Sequence, residues 1–203
     1  MEHSIGIDEA GRGPLAGPVA VGAVVVPHDF DWSLVEGVKD SKKMTPRSRE
    51  RVYETMVVLR EKKALDFAVA FSSSTMIDEW GIVPAIKSAL ARALTHIQST
   101  SAVGREVEVL LDGGLRAPRE YAAQKTIIRG DDTEPVISLA SIAAKVERDR
   151  IMLRLAKKHP LYAFEVHKGY GTAAHRAAIK KHGISVVHRR TFCKTLISKE
   201  KSV

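Results

Sequence analysis

The segment Val19–Val26 constrains the fold more than any other part of the chain. Its eight residues include five valines and no charge. β-branched residues favour strands, and an unbroken apolar run indicates a strand covered on both faces. A shorter apolar segment, Ser4–Asp8, lies about ten residues upstream and is also typical of a strand. We therefore expect two paired strands, with the second (18–27) central, joined by a loop long enough to carry function.

Helix signals follow these strands. Thr45 is a suitable N-cap with Pro46 at the first helical position, which predicts a helix to about Lys62. Further strands are predicted over 64–71, 106–111 and 125–129, and further helices over 74–80, 84–98, 135–159 and 173–182. This order predicts an α/β fold with a mixed sheet flanked by helices, antiparallel early and parallel later. We expect one domain over 1–203, whose C-terminal part, from about residue 145, is helical and basic.

Charge is distributed unevenly along the chain. The net charge is +8, but the residues from Lys145 onward contain fifteen Lys or Arg and only four Asp or Glu. Such a basic region favours a polyanionic partner, although a solvated helix face is the alternative.

Cys193 is the only cysteine, which suits a reducing compartment. With no apolar run of membrane-spanning length and no secretory leader pattern, we expect a cytoplasmic protein without a membrane segment.

Acidic residues follow three of the predicted strands: Asp8 and Glu9, then Asp112, then Asp131 and Asp132. If the strands are neighbours, these side chains meet at one edge of the sheet, where carboxylates repel one another unless a cation joins them. Two divalent ions would satisfy four such groups and support displacement at a phosphodiester. Alternatively, all of them are ordinary turn residues. Asp8 and Glu9 can share a site only if the strand ends or bends at Glu9, because adjacent strand residues point to opposite faces.

Taken together, several motifs of the chain resemble the ribonuclease HII family. They appear in the family's order and cover nearly the whole sequence: Gly6–Pro18, Asp40–Lys43, Leu111–Gly113, Arg129–Asp131, Ser138–Arg150, His167–Thr172 and His188–Phe192. The resemblance implies a ribonuclease H-like fold. It also implies cleavage of the RNA strand of RNA–DNA hybrids and at ribonucleotides embedded in duplex DNA, which we expect to leave 5′-phosphate and 3′-hydroxyl ends.

The resemblance also implies roles for individual residues. Four acids of the family bind two Mg²⁺ or Mn²⁺ ions, and they correspond to Asp8, Glu9, Asp112 and Asp131. The glycine-arginine-glycine segment, here Gly11, Arg12 and Gly13, is implied to sense the ribose 2′-hydroxyl. Tyr170 is implied to pack on the neighbouring deoxyribose.

Other candidates remain open at this stage. Lys42, Lys43 and Lys168 are candidate phosphate contacts, although lysine runs are often only solvated. The spacing of His167, His175 and His188 matches no usual zinc motif, and we expect His175 and His188 to be structural or to lie near phosphate. Oxygen ligands accept Mg²⁺ and Mn²⁺ alike. We expect a monomer by similarity to the family.

Two other functions stay possible from sequence. One is a metal-dependent nuclease of the same fold that cuts DNA alone. The other is a non-catalytic nucleic-acid-binding module whose acids are turn residues.

Overall fold

A computed structural model describes residues 2–35, 38, 44–101 and 103–197. Within them, five strands form one mixed sheet in the order β3-β2-β1-β4-β5. The strands are β1 (His3–Ala10), β2 (Val19–Pro27), β3 (Asp66–Ser72), β4 (Glu108–Asp112) and β5 (Gln124–Ile127). β2 pairs antiparallel with β1 and β3, whereas β4 pairs parallel with β1 and β5. The predicted change from antiparallel to parallel pairing is therefore confirmed.

Helices cover both faces of the sheet. They are α1 (Pro46–Glu61), α2 (Ser74–Trp80), α3 (Ile82–Ser101), α4 (Gly130–Thr133), α5 (Pro135–Lys158), α6 (Phe164–His167), α7 (Ala173–His182) and α8 (Arg190–Ile197). The predicted caps are confirmed, since the hydroxyl groups of Thr45 and Thr172 accept hydrogen bonds from the first turns of α1 and α7. The helices α4, α6 and α8 were not predicted. The first two have only four residues each, and α8 has no capping residue of its own in the sequence, because Asp78 caps its start.

The sheet separates two apolar layers. On one face, Ile7 and Val21 pack with Leu90 and Leu94 of α3. On the other face, α1 and α5 pack against residues such as Val24. Helix α5 lies unusually close to β1, because a Cβ built on Gly6 would come within 2.3 Å of the Val136 carbonyl oxygen. Only glycine permits this contact between backbones, and it fixes the start of α5 beside the end of the sheet that carries the acids.

A third apolar cluster holds the loop between β1 and β2. Leu15 and Ala16 from this loop pack with Met152 of α5, Phe164 of α6 and Cys193 of α8. The C-terminal helices therefore form the support for the loop that contains the glycine-arginine-glycine segment. No helix in the described residues has the length and apolar character needed to cross a membrane.

Candidate active site

All four acids named from sequence line one cavity of about 400 Å³. It lies where β1 and β4 end. Asp8 and Glu9 come from β1, Asp112 is the last residue of β4, and Asp131 belongs to α4. Asp132, also considered from sequence, forms an ion pair with Arg129 instead. The structure thus brings together acids that are more than a hundred residues apart in sequence.

The register of the sheet places Asp112 beside Asp8. The parallel pairing of β1 with β4 runs from Ser4 opposite Glu108 to Ile7 opposite Leu111, so the next residue on each strand is an aspartate. Pleating puts Asp8 on the same face as Gly6, the face that α5 covers.

Strand β1 continues to Ala10, so the first of the two conditions inferred from the pleat, a strand end at Glu9, is not met. Both Asp8 and Glu9 nevertheless line the cavity. The reason is that β4 stops at Asp112, so the last residues of β1 lack a neighbour on that side. The cavity therefore opens at a sheet edge, where side chains from both faces can reach it.

Asp131 is presented by a local turn and not by a strand end as expected. Arg129 has a left-handed φ of 57° immediately before α4, which turns the chain back toward β4. The backbone N–H of Asp131 donates to Asp112 Oδ1 at 3.4 Å, and the Ser138 hydroxyl of α5 donates to the Asp131 carbonyl oxygen. Asp131 is only 1% exposed.

Burial and neighbouring like charge raise the pKa of Asp8 and of Glu9 and so make their ionisation unfavourable. The pKa of Asp8 is raised to about 8, mainly by burial and also by the charges of Glu9 and Asp112, while a hydrogen bond with Ser141 opposes the shift. Burial also raises the pKa of Glu9, while the adjacent Arg12 guanidinium, 3.3 Å from Glu9 Oε1, lowers it. A buried carboxylate group of this kind fits a hard divalent cation, which would relieve the repulsion and accept oxygen ligands.

The acids do not yet surround one point. Among the described residues, no three acidic, histidine or cysteine side chains form a ready-made metal cage. The carboxylates would have to rotate toward a common ion, and their role as ligands stays a prediction.

The segment Gly11–Gly13 forms one wall of the cavity. Gly11 has a φ of +87°, and a Cβ there would lie 1.9 Å from Arg148 Nε. By contrast, a Cβ on Gly13 would meet no atom within 4 Å. Gly11 is therefore required by the fold itself, whereas Gly13 leaves open space beside its backbone.

Two fully buried arginines hold the loop between β1 and β2, and sequence reasoning missed both roles. Arg189 donates from Nη2 to the Gly11 carbonyl at 2.6 Å, from Nη1 to that of Arg12 at 2.9 Å, and from Nε to that of Gly17 at 3.0 Å. Arg148 donates to the carbonyl oxygens of Ala16, Pro18 and Lys168. Both lie in motifs quoted above, but nothing in the sequence distinguishes a buried arginine from a solvated one.

Tyr170 also lines the cavity and is 42% exposed. The Arg148 guanidinium lies 5.7 Å from its ring centroid, and Lys145 Nζ lies 5.9 Å away. Its carbonyl oxygen is hydrogen-bonded to His175 Nδ1 at 3.0 Å. The ring is therefore held at the cavity mouth by a fixed backbone, with its surface available.

The three histidines left open by the sequence form a buried cluster. His167 stacks on His175 with ring centroids 4.4 Å apart, and the Nε2 atoms of His175 and His188 are 3.0 Å apart. Burial lowers the pKa of both His175 and His188, the latter to about 4. Their position beneath Tyr170 indicates a structural role, the first of the two options expected for His175 and His188.

Of the three lysines predicted to contact phosphate, only Lys168 lies in the described residues, and it is not at the cavity. Lys168 Nζ donates to the Glu165 carbonyl oxygen, and Lys168 is not among the residues that line the cavity. Lys42 and Lys43 lie outside the described residues. The lining instead includes three groups that were not predicted as site residues, namely Arg49, Ser141 and Lys145. Ser141 and Lys145 are four residues apart on α5, a spacing that places them on one helix face.

A sequence model of the ribonuclease HII family matches residues 5–195. The chain belongs to the ribonuclease HII family. Ribonucleases HII are divalent-metal-dependent endonucleases that cleave the RNA of RNA–DNA hybrids and ribonucleotides in DNA. The resemblance, the expected fold class and the expected activity are thereby confirmed, and neither alternative function is supported.

Similar proteins agree with this assignment. The chain is 40% identical over 193 residues to a ribonuclease HII of Caldicellulosiruptor bescii, covering 95% of this chain and 87% of that one. It is 42% identical over 187 residues to a ribonuclease HII of Endomicrobium trichonymphae, covering 92% and 83%. Among solved structures, the PCNA:RNase HII complex from Archaeoglobus fulgidus is similar with a TM-score of 0.73 and 27% identity over 98% of both chains.

Proposed function

We propose that Asp8, Glu9, Asp112 and Asp131 hold two divalent ions, Mg²⁺ or Mn²⁺, and that cleavage beside a ribonucleotide leaves 5′-phosphate and 3′-hydroxyl ends. The observation that carries this proposal is the convergence of the four acids on the cavity that Gly11–Gly13 and Tyr170 also line. Divalent ions bound there would supply an activated water and charge stabilisation at the phosphoryl and leaving oxygens.

The residues around the acids would prepare them for this role. Ser141 is hydrogen-bonded to Asp8 and thereby orients its carboxylate. Arg12 pairs with Glu9, which favours the ionised carboxylate against the effect of burial and turns it toward the loop. Lys145 and Arg49 add positive charge to the cavity wall, where they can attract the phosphates of the substrate.

Ribose recognition would rest on the backbone of Gly11–Gly13. The 2′-hydroxyl is the group that distinguishes RNA from DNA at a single position. Arg189 fixes the carbonyl oxygens of Gly11 and Arg12, so the peptide groups of this segment present a rigid pattern of hydrogen bonding. Tyr170 would pack on the adjacent deoxyribose. Lys42, Lys43 and Lys168 remain proposed phosphate contacts along the flanking strand.

The substrate would be an RNA–DNA hybrid or duplex DNA containing ribonucleotides, bound by a monomer. The net charge of +8 favours a polyanion of this kind. We place the enzyme in the cytoplasm, since its single cysteine suits a reducing compartment.

The test uses duplex DNA with one ribonucleotide, incubated with and without Mg²⁺ or Mn²⁺, with the cut position and end groups mapped. Cleavage should require metal, and Asp112→Asn should reduce it at least about a hundredfold with duplex binding retained. Glu108→Gln is the matched control, because Glu108 lies on the same strand outside the cavity. Cleavage without metal, 2′,3′-cyclic phosphate ends, or equal cleavage of all-DNA duplex would overturn the proposal.

A further inference from the structure

A second groove adjoins the active cavity and shares Arg12 with it. We call it the Lys87 groove. Its volume is about 230 Å³. The buried side chains of Ile86, Leu90 and Leu115 form its floor, and the exposed Lys87 and Arg116 lie on its rim.

The groove is tied directly to one of the catalytic acids. After Asp112, the chain turns so that the Leu115 backbone N–H donates to the Asp112 carbonyl oxygen at 3.2 Å. This turn lets Leu115 join the apolar layer beneath α3 and leaves Arg116 at the surface. Helix α3 meanwhile buries Ile86 and Leu90 against the sheet and exposes Lys87 between them. The position of the groove relative to Asp112 is therefore fixed by core packing.

The groove carries uncompensated positive charge. None of the described residues that line it is acidic. Within the described part of the chain, neither Lys87 nor Arg116 takes part in an ion pair. Arg12, at the junction of the two cavities, is still 54% exposed although it pairs with Glu9. Cations left without partners above an apolar floor fit a sugar-phosphate chain, with the sugars on the floor and the phosphates at the rim.

A larger cavity, of about 640 Å³, lies at the opposite end of the sheet, and its positive charge does not point to a ligand. Its lining contains Asp66 beside Arg60 and Lys63. These two cations lie at or just after the C-terminus of α1, where positive charge stabilises the helix dipole. Its charges therefore have a structural explanation, which makes them useful controls.

We propose that the Lys87 groove is a subsite for the phosphodiester backbone of the substrate strand beyond the nucleotides held at the four acids. Lys87 and Arg116 bind phosphates of the flanking segment, and Arg12 lies where the strand passes from one cavity to the other. This inference rests on the proposed function, because it extends the same duplex along the surface.

The test is steady-state cleavage of a duplex with one central ribonucleotide and long flanks on both sides. The double variant Lys87→Glu/Arg116→Glu should raise KM about tenfold or more with kcat within about twofold, because contacts distant from the reacting phosphate contribute uniform binding. Loss of two phosphate contacts should also reduce the slope of log K against log salt by about 1.8 for duplex binding measured in EDTA. Shortening one of the two flanks should remove the difference in KM between variant and wild type, whereas shortening the other flank should leave it.

The matched control is Arg60→Glu/Lys63→Glu, which makes the same charge change at the opposite end of the sheet. It should raise KM by less than about threefold, because it changes only the electrostatic field of the whole protein. Equal effects of the two double variants, or a variant effect that persists whichever flank is shortened, would overturn the subsite. Failure of the wild-type enzyme to cleave the ribonucleotide substrate would instead overturn the proposed function, so the two failures are distinguishable.

Discussion

Arg189 Nη2 donates a hydrogen bond of 2.6 Å to the carbonyl oxygen of Gly11, across 178 residues of sequence. This contact joins the start of α8 to the segment that lines the acidic cavity. Arg189 is fully buried, and burial together with the charge of Arg148 lowers its pKa. It satisfies three backbone carbonyl groups of the loop at once.

The first prediction concerns this arginine. Arg189→Met should lower the free energy of unfolding by about 3 kcal/mol, because buried carbonyl groups lose their donors. Urea denaturation measures this. Arg190→Met is the matched control, since Arg190 is exposed, and it should change stability by less than about 0.5 kcal/mol. If the two variants were equally stable, Arg189 would not hold the loop.

The second prediction separates the two glycines of the loop. Gly11→Ala should destabilise the protein by about 2 kcal/mol or more, because it combines a positive φ with a clash against Arg148. Gly13→Ala should leave stability within about 0.5 kcal/mol, since open space surrounds its Cβ position. Its effect should appear in cleavage at the single ribonucleotide, because the added methyl group would separate the backbone from the ribose. Full activity of Gly13→Ala would exclude close approach there.

The third prediction follows from the raised pKa of Asp8, about 8. An acid whose folded-state pKa exceeds its unfolded value stabilises the fold at low pH, and this contribution is lost as pH rises through the folded-state pKa. In EDTA, stability should therefore fall between about pH 4 and pH 9. Asp8→Asn should remove this dependence on pH. At pH 9 its free energy of unfolding should exceed that of the wild type by about 2 kcal/mol.

Metal should reverse this order. Added Mn²⁺ should stabilise the wild type at pH 9 and leave Asp8→Asn nearly unchanged, as measured by thermal unfolding. If the free energy of unfolding of the two proteins depended on pH identically in EDTA, ionisation of Asp8 would not destabilise the fold.

The fourth prediction concerns His188, whose pKa burial lowers to about 4. A histidine with a depressed pKa contributes stability above its unfolded value, near 6.5, and this contribution is lost as pH falls toward 4. The wild type should lose roughly 3 kcal/mol from this group over that interval. His188→Gln does not titrate, so the difference in unfolding free energy between the two proteins should shrink as pH falls. A constant difference would mean that folding does not lower the pKa of His188.

Much of the fold could be read from the sequence because local signals agree there. The valine-rich strand β2, the Thr45 cap and the Pro135 start of α5 each combine propensity with a boundary residue. Helix α8 gave no such signal, since its start depends on a distant residue. Asp78 accepts hydrogen bonds from the backbone N–H groups of Arg190 and Thr191.

The candidate site divides in the same way. The four acids stood out because each follows a strand or a glycine turn. The buried state of Arg148 and Arg189, the cluster of His175 with His188, and the Lys87 groove depend on segments that meet only in the folded chain. No pattern along the sequence contains that information.

The proposed function depends on four carboxylates that act together as one divalent-metal site. Titration of Mn²⁺ into the enzyme bound to a ribonucleotide-containing duplex, followed by calorimetry, tests it most directly. We expect about two ions per chain for the wild type and for Glu108→Gln, and the loss of at least one ion together with cleavage for Asp112→Asn and Asp131→Asn. Unchanged Mn²⁺ stoichiometry in both aspartate variants would contradict the claim.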